Sequence, residues 1–379
     1  MNKKSNRIYF EHLDVLRFVA AFMIVILHAY VSWVDWFGQL DFLIRNDEPK
    51  FTVIGEFIDI FLRNLGIGVD IFFLISGFLI TYILIEEKKR HGKINIKNFM
   101  IRRTIRIWPL YFFLIAITPF LVIWIDTPSP DYLPNIFFLN NFHTIKTHVW
   151  AYPFGHFWSI CIEEHFYLIW PFIIAFVPNK RLMPVFISFI VFSILFRLYS
   201  AINFDSTWYI LYLNTLSRMD VLVIGAVGAY YYSKKAFTFS LNRWVRYGLL
   251  IMFILSLSLE PVELWSNYFE ASFKKFFTIA IFSILMLDFN FADNFKHILP
   301  PKSIIHYFGK VSYGIYMYSN ILILIIIKKF MWAFESNNFW IFLLLNIGLS
   351  IIIPILSYEL FEKHILKLNK RFRVVKTER

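Results

Sequence analysis

Apolar residues run in long blocks along this chain, and the polar residues sit mostly between the blocks. A membrane-crossing helix needs roughly 20 consecutive apolar residues to span a hydrocarbon core ~30 Å thick. By that rule the pattern predicts ten spans, near 14–34, 66–85, 107–125, 156–177, 183–200, 210–232, 247–260, 275–289, 304–327 and 338–361. The start, Met1-Asn-Lys-Lys-Ser-Asn-Arg7, has the basic character of a signal-peptide leader. The apolar stretch behind it is too long for one and lacks an A-x-A cleavage site, so it reads as an uncleaved first span.

Composition agrees with the pattern. Of 379 residues, 58% are hydrophobic and 17% charged, against about 25% charged in an average soluble domain. A soluble globule and a disordered chain are both excluded. The expected fold class is an all-α polytopic membrane protein, with residues 1–379 forming a single transmembrane domain. Ten spans leave no room for a large soluble domain. The single cysteine, Cys161, excludes an intrachain disulfide and a multi-thiolate metal site. His143, His148 and His156 fit no standard ligand spacing, so no metal is expected.

The net charge of +12 on a soluble protein would suggest nucleic acid. Sorted by loop, it gives a different answer. With the N-terminus inside, 27 of the 38 Lys and Arg fall on the cytoplasmic side and 8 on the outer side; Arg17, Arg197 and Arg218 lie in or near spans. This is the positive-inside bias of a protein with both termini in the cytoplasm and an even number of spans. No nucleic-acid partner is needed; the partner the charges imply is the lipid bilayer. Two outer segments are long: 35–65, with Asp35, Asp41, Asp47, Glu48, Glu56 and Asp59, and 126–155, with Pro128, Pro130 and Pro134.

Ionisable residues inside spans are costly and are therefore candidates for function. Arg17 and His28 are eleven residues apart in the first span. At 3.6 residues per turn they share a face, separated by about 16 Å along the axis. Arg17 falls near the cytoplasmic boundary and His28 deep, towards the outer side. Ser76-Gly77 offers small residues for helix packing, expected against the first span, and Asp70 lies at the outer end of the same stretch. Arg103 and Arg106 face one way on a helix and suit a phosphate ligand. Ser159, Glu163 and Tyr167 share a helical face, and Glu163-Glu164 places two carboxylates at the entry to hydrocarbon. Arg218 and Asp220 are read either as a structural pair or as residues facing a cavity.

Taken in order, these segments resemble the membrane-bound acyltransferase family 3. The resemblance rests on Arg17 with His28, Gly68-Val-Asp-Ile-Phe-Phe-Leu-Ile-Ser-Gly-Phe78, Arg103 with Arg106, Trp158-Ser-Ile-Cys-Ile-Glu-Glu-His-Phe-Tyr167, Arg218 with Asp220, Val311-Ser-Tyr-Gly-Ile-Tyr316 and Tyr358-Glu-Leu-Phe-Glu-Lys363. It implies transfer of an acyl group, expected to be acetyl, from cytoplasmic acyl-CoA to a hydroxyl of a cell-surface or lipid-linked glycan, in a bacterial plasma membrane. By the same resemblance His28 is the catalytic residue, with Glu163. Arg17, Arg103 and Arg106 bind the CoA side. Asp14, Ser76, Ser159, Glu164, Tyr167 and Asp220 support the site. Acyl-CoA enters as co-substrate, and no permanently bound cofactor is expected. The chain is expected to lack the extracytoplasmic SGNH-type hydrolase domain that some members carry. It departs from the family at Cys161, where Ser is common, at His165, where Gln is common, and at Ser319, where a His frequently stands.

The mechanism expected from this reading begins with a neutral imidazole, whose ordinary pKa near 6.5 suits it to take a hydroxyl proton. His28 activates the acceptor, with Glu163 or Asp14 orienting it or balancing its charge. An acyl-histidine intermediate is the other route. Rival readings are an acceptor that is a small molecule or a lipid, a transporter or flippase of glycan precursors, and a receptor or scaffold. The transporter reading predicts internal symmetry, which the sequence does not show. The scaffold reading leaves Arg17, His28 and Glu163-Glu164 unexplained.

Overall fold

A computed structural model describes residues 10–37, 49–204, 207–234, 239–258, 268–291, 303–331 and 338–372. Asp41, Arg45, Asp47 and Glu48 of the expected outer segment lie outside this set, as do the basic residues of the first nine positions, of 292–302 and of 373–379. Among the described residues all regular structure is helical. Eight helical stretches are long and apolar enough to cross a membrane. They contain α1 (Glu11–Phe37), α2 with α3 (Pro49–Asn64, Ile67–His91), α4 (Ile96–Ile125), α7 (Trp158–Phe176), α8 (Leu182–Asn203), α9 with α10 (Thr207–Leu213, Thr215–Tyr232), α13 (Ile304–Ile325) and α14 (Phe339–Ser357).

The two other expected spans are also helices. One is α11 (Arg243–Leu257), whose 15 residues extend about 22 Å, short of a ~30 Å core. The other is α12 (Tyr268–Phe291), which starts among Glu270, Lys274 and Lys275. The segments expected to be long outer loops are partly helical. Residues Pro49–Asn64 form α2. Residues 126–155 hold α5 (Tyr132–Ile136) and α6 (Asn140–Thr147). Asp131 caps α5 by accepting from the Leu133 amide at 3.1 Å, the usual use of an Asp at a helix start.

Helix α3 buries residues on every side, among them Val69, Phe73, Ile80 and Leu84, as a helix enclosed by others must. Its approach to α10 is backbone to backbone. A Cβ on Gly77 would collide with the Leu222 carbonyl, and one on Gly225 with the Leu74 carbonyl. Gly77 thus packs on α10, not on the first span as expected. It is Gly68, one face round, that abuts Ala20 and Ile24 of α1. Small residues allow such contact where lipid supplies no hydrophobic drive between helices. The peripheral α8 and α14 leave Ile187, Val191, Leu195, Leu344 and Ile352 exposed, an apolar surface suited to acyl chains.

One end of the bundle is basic and tightly tied. Lys88 Nζ donates to the Ile174 and Val177 carbonyls at 2.7 Å. Arg102 donates to the Phe372 carbonyl at 2.6 Å and pairs with Glu87 at 3.4 Å. Phe10 inserts among Phe78, Tyr82, Tyr232 and Phe291 at centroid distances of 5.2–5.8 Å. That joins the start of α1 to the middle of α3 and the ends of α10 and α12. The Tyr358–Lys363 segment is bracing: Glu359 accepts from Tyr307 at 2.9 Å and Lys363 at 2.6 Å, and Glu362 from Ser357 at 3.1 Å.

Candidate functional site

The residues singled out in the sequence fall around two cavities. The inner one, of about 80 Å³, is lined by Arg17 from α1, Ser76 from α3, Arg103 and Arg106 from α4, Ser159, Glu163 and Tyr167 from α7, and Tyr313 and Tyr316 from α13. Helical spacing explains why α7 delivers three of these: residues 159, 163 and 167 stack on one face. Ser76 Oγ and Tyr167 Oη are 2.5 Å apart. Glu163 lies within hydrogen-bonding reach of Tyr167 and Ser76, in the field of Arg103 and Arg17. The Arg103 guanidinium sits 5.7 Å over the Tyr167 ring and 5.6 Å over Phe99. Three guanidiniums line this cavity against the Glu163 carboxylate and the Asp14 carboxylate that holds Arg17 at 2.7 Å, so an excess of positive charge remains, as an anionic ligand requires.

The outer cavity is larger, about 590 Å³, within the usual range of small-molecule sites. His28 lines it with His156, Asp70, Lys275, Asp35 and Arg63. Its wall is aromatic: Trp150, Tyr152, Trp158, Trp208 and Tyr212, with Trp208 stacked on Tyr212 at 5.1 Å. Asp70, Lys275 and Arg63 among its charges are already paired. Asp70 lies 3.3 Å from Arg218 and 3.4 Å from Lys275, and Arg63 grips Asp59 at 2.9 Å. Burial and the nearby Asp35 carboxylate push the Tyr152 phenol up, so it stays an O–H donor at the rim.

The tautomers of the two histidines follow from their partners. Ser319 donates to the Tyr316 carbonyl at 2.8 Å. Its oxygen therefore faces His28 Nδ1, 3.4 Å away, as an acceptor. With the hydroxyl hydrogen on that carbonyl, the contact favours the tautomer that carries its hydrogen on Nδ1 and leaves Nε2 basic. His156 is 2% exposed, and its Nε2 lies 3.1 Å from the Met317 carbonyl. A carbonyl only accepts, so His156 is protonated at Nε2 and its buried Nδ1 makes no hydrogen bond. The two rings are 6.0 Å apart.

The remaining expected residues lie elsewhere. Asp14 accepts from Arg17 at 2.7 Å, fourteen residues or about 21 Å of helix from His28. Neither Asp14 nor Glu163 is brought to the His28 ring. Glu164 Oε2 accepts from Trp108 at 3.2 Å, outside both cavities. Arg218 and Asp220 do not pair with each other: Arg218 goes to Asp70, and Asp220 accepts from Arg197 of α8 at 2.7 Å. His143 faces Asp131 at 3.8 Å and His148 stacks on Tyr209, so the three outer histidines are not gathered. No cluster of three metal-ligating side chains occurs among the described residues. Sequence reasoning missed His156, Tyr316 and the aromatic wall as site residues. The signals for them were that His156, weighed only as a metal ligand, sits three residues before Ser159, and that Tyr316 closes the Val311–Tyr316 segment of the resemblance.

Fold and site together describe a polytopic helical membrane protein with a basic inner cavity and a histidine-bearing outer one. Residues 10–359 match the family model described as "Acyltransferase domain"; the chain belongs to that family. Its relatives include the O-acetyltransferase OatA of Staphylococcus aureus strain NCTC 8325 / PS 47, 27% identical over 337 residues. The OatA of strain MRSA252 matches to the same extent. Each alignment takes in 82% of this chain and 50% of the relative, so the chain spans about half the length of the relatives it matches. No solved structure matches it.

Proposed function

We propose that this chain is a membrane O-acyltransferase that moves an acetyl group from acyl-CoA to a hydroxyl of a cell-surface or lipid-linked glycan. The observation that carries the reading is the distribution of charge along α1: Arg17 opens into the arginine-lined cavity and His28 into the aromatic one. Arg17, Arg103 and Arg106 hold the CoA phosphates, and the acyl-bearing arm points up the bundle. At the other end, flat aromatic faces and paired charges suit a sugar ring, which offers C–H faces for stacking and hydroxyls for hydrogen bonds. The names of the staphylococcal relatives support the acetyl group; the same relatives and the apolar helices support a bacterial plasma membrane.

In the reaction His28 Nε2 takes the proton of the acceptor hydroxyl. The oxygen attacks the thioester carbonyl, the C–S bond breaks, and His28 returns the proton to the thiolate. The ester and free CoA leave on the two sides. The test is transfer from labelled acetyl-CoA in membranes carrying His28→Ala. Retained transfer at normal protein level overturns the proposal.

A further inference from the structure

The two cavities are separate, although the reaction needs a donor bound in one to meet His28 in the other. At about 80 Å³ against about 590 Å³, the inner cavity is much the narrower of the two. A pair of touching rings links the two linings. Tyr316 borders the inner cavity and meets His156 edge-on, with centroids 5.2 Å apart and planes at 79°. His156 in turn borders the outer cavity beside His28. Both rings are fixed. The Tyr316 hydroxyl donates to the His156 carbonyl at 2.7 Å and accepts from Ser159 Oγ at 2.7 Å. The His156 ring is tied to the Met317 carbonyl.

Resting on the acyltransferase reading, we propose that Tyr316 is the gate between donor and acceptor cavities, latched by Ser159 and the His156 carbonyl. Arrival of the acyl arm beside Ser159 breaks the latch and turns the phenol aside. The thioester carbonyl then reaches His28 only when a donor fills the passage. In the empty enzyme the latch keeps water on the acceptor side away from the inner cavity. Tyr316 makes no bond to the reacting atoms; it is a positioning residue.

The experiment uses Ser76→Cys as a reporter in the inner cavity, in a Cys161→Ser background. A small charged methanethiosulfonate is applied to intact cells and to inverted vesicles. The parent is expected to react from the arginine side alone. Tyr316→Phe keeps the ring and removes the latch; at about 1 kcal/mol per hydrogen bond its open fraction rises about tenfold or more, and the reporter reacts from both sides. Acetyl-CoA hydrolysis without acceptor, read as free thiol, rises in parallel. Ser159→Ala removes one latch bond and shifts both readouts the same way by less. The buried native Cys161, kept in a separate Tyr316→Phe chain, stays unreactive where the fold is intact. One-sided or absent labelling in Tyr316→Phe, with Cys161 still protected, overturns the gate. Were acetyl-CoA not the donor, no variant would release thiol, yet two-sided labelling would still report the gate.

Discussion

His28 and Arg17 share one face of α1, eleven residues apart, and open into different cavities. Their loss should therefore read differently. A general base contributes about 10²- to 10⁴-fold, so His28→Ala is expected to lower kcat by that factor with acetyl-CoA binding intact. Arg17→Ala is expected to raise KM for acetyl-CoA about tenfold and leave a measurable kcat. Because Asp14, 3% exposed, loses its 2.7 Å contact with Arg17 in that variant, protein level is followed alongside. Equal kcat losses in both variants would refute the division of roles.

Arg106 gives the cleaner test of the phosphate site. Arg103 lies over Phe99 and Tyr167, so its removal disturbs packing as well as charge. Arg106→Ala is expected to raise KM for acetyl-CoA about 10- to 100-fold and to leave kcat at saturation nearly unchanged. Arg106→Lys should recover only part of this, since an ammonium lacks the bidentate fork. Added salt should weaken donor binding in the parent more than in the variant. A KM that ignores both substitutions would remove the phosphate assignment.

Much of the fold was legible because apolar length is a one-dimensional property: all ten runs became helices, eight of them long and apolar enough to cross a bilayer. Helix α2 was not, since Glu56, Asp59 and Arg63 break its apolar run; its polar face closes on Tyr30, whose hydroxyl donates to Asp59 at 2.5 Å. Arg17, Arg103, Arg106, Ser159 and Glu163 were legible as a group because each is a costly side chain at helical spacing. The same cost was satisfied differently at Asp14 and Asp220, which answer arginines within the fold. A sequence does not distinguish a carboxylate that meets a ligand from one that meets Arg197. His156 was hidden for a related reason: its meaning depends on the Met317 carbonyl, 161 residues away.

The α3–α10 contact predicts a sharp positional contrast among glycines. Gly77→Ala and Gly225→Ala each drive a methyl into a neighbouring backbone carbonyl, where no side chain can yield. Overpacking of this kind costs about 1–3 kcal/mol, and more where backbones must part. Gly248→Ala and Gly348→Ala meet open space and should be neutral or slightly stabilising through helix propensity. Thermal melting in detergent, followed by size-exclusion profile, separates the pairs. Equal stability of all four variants would contradict the close approach.

Ser319 predicts a smaller effect, read mainly in kcat. Its hydroxyl is committed to the Tyr316 carbonyl and so presents lone pairs to His28 Nδ1 at 3.4 Å. The contact is long, and a hydrogen bond of ordinary strength contributes about 0.5–1.5 kcal/mol. Ser319→Ala should therefore lower kcat by about two- to tenfold, by letting the other His28 tautomer compete, while KM for acetyl-CoA stays put. Nitrogen-15 spectra of labelled histidine should show the Nδ1-protonated form of His28 dominant in the parent and mixed in the variant. Ser319 is fully buried, so removing its oxygen leaves a small void, and a loss of stability is measured in parallel. An unchanged tautomer ratio with a lowered kcat would mean that Ser319 acts through packing rather than through the imidazole.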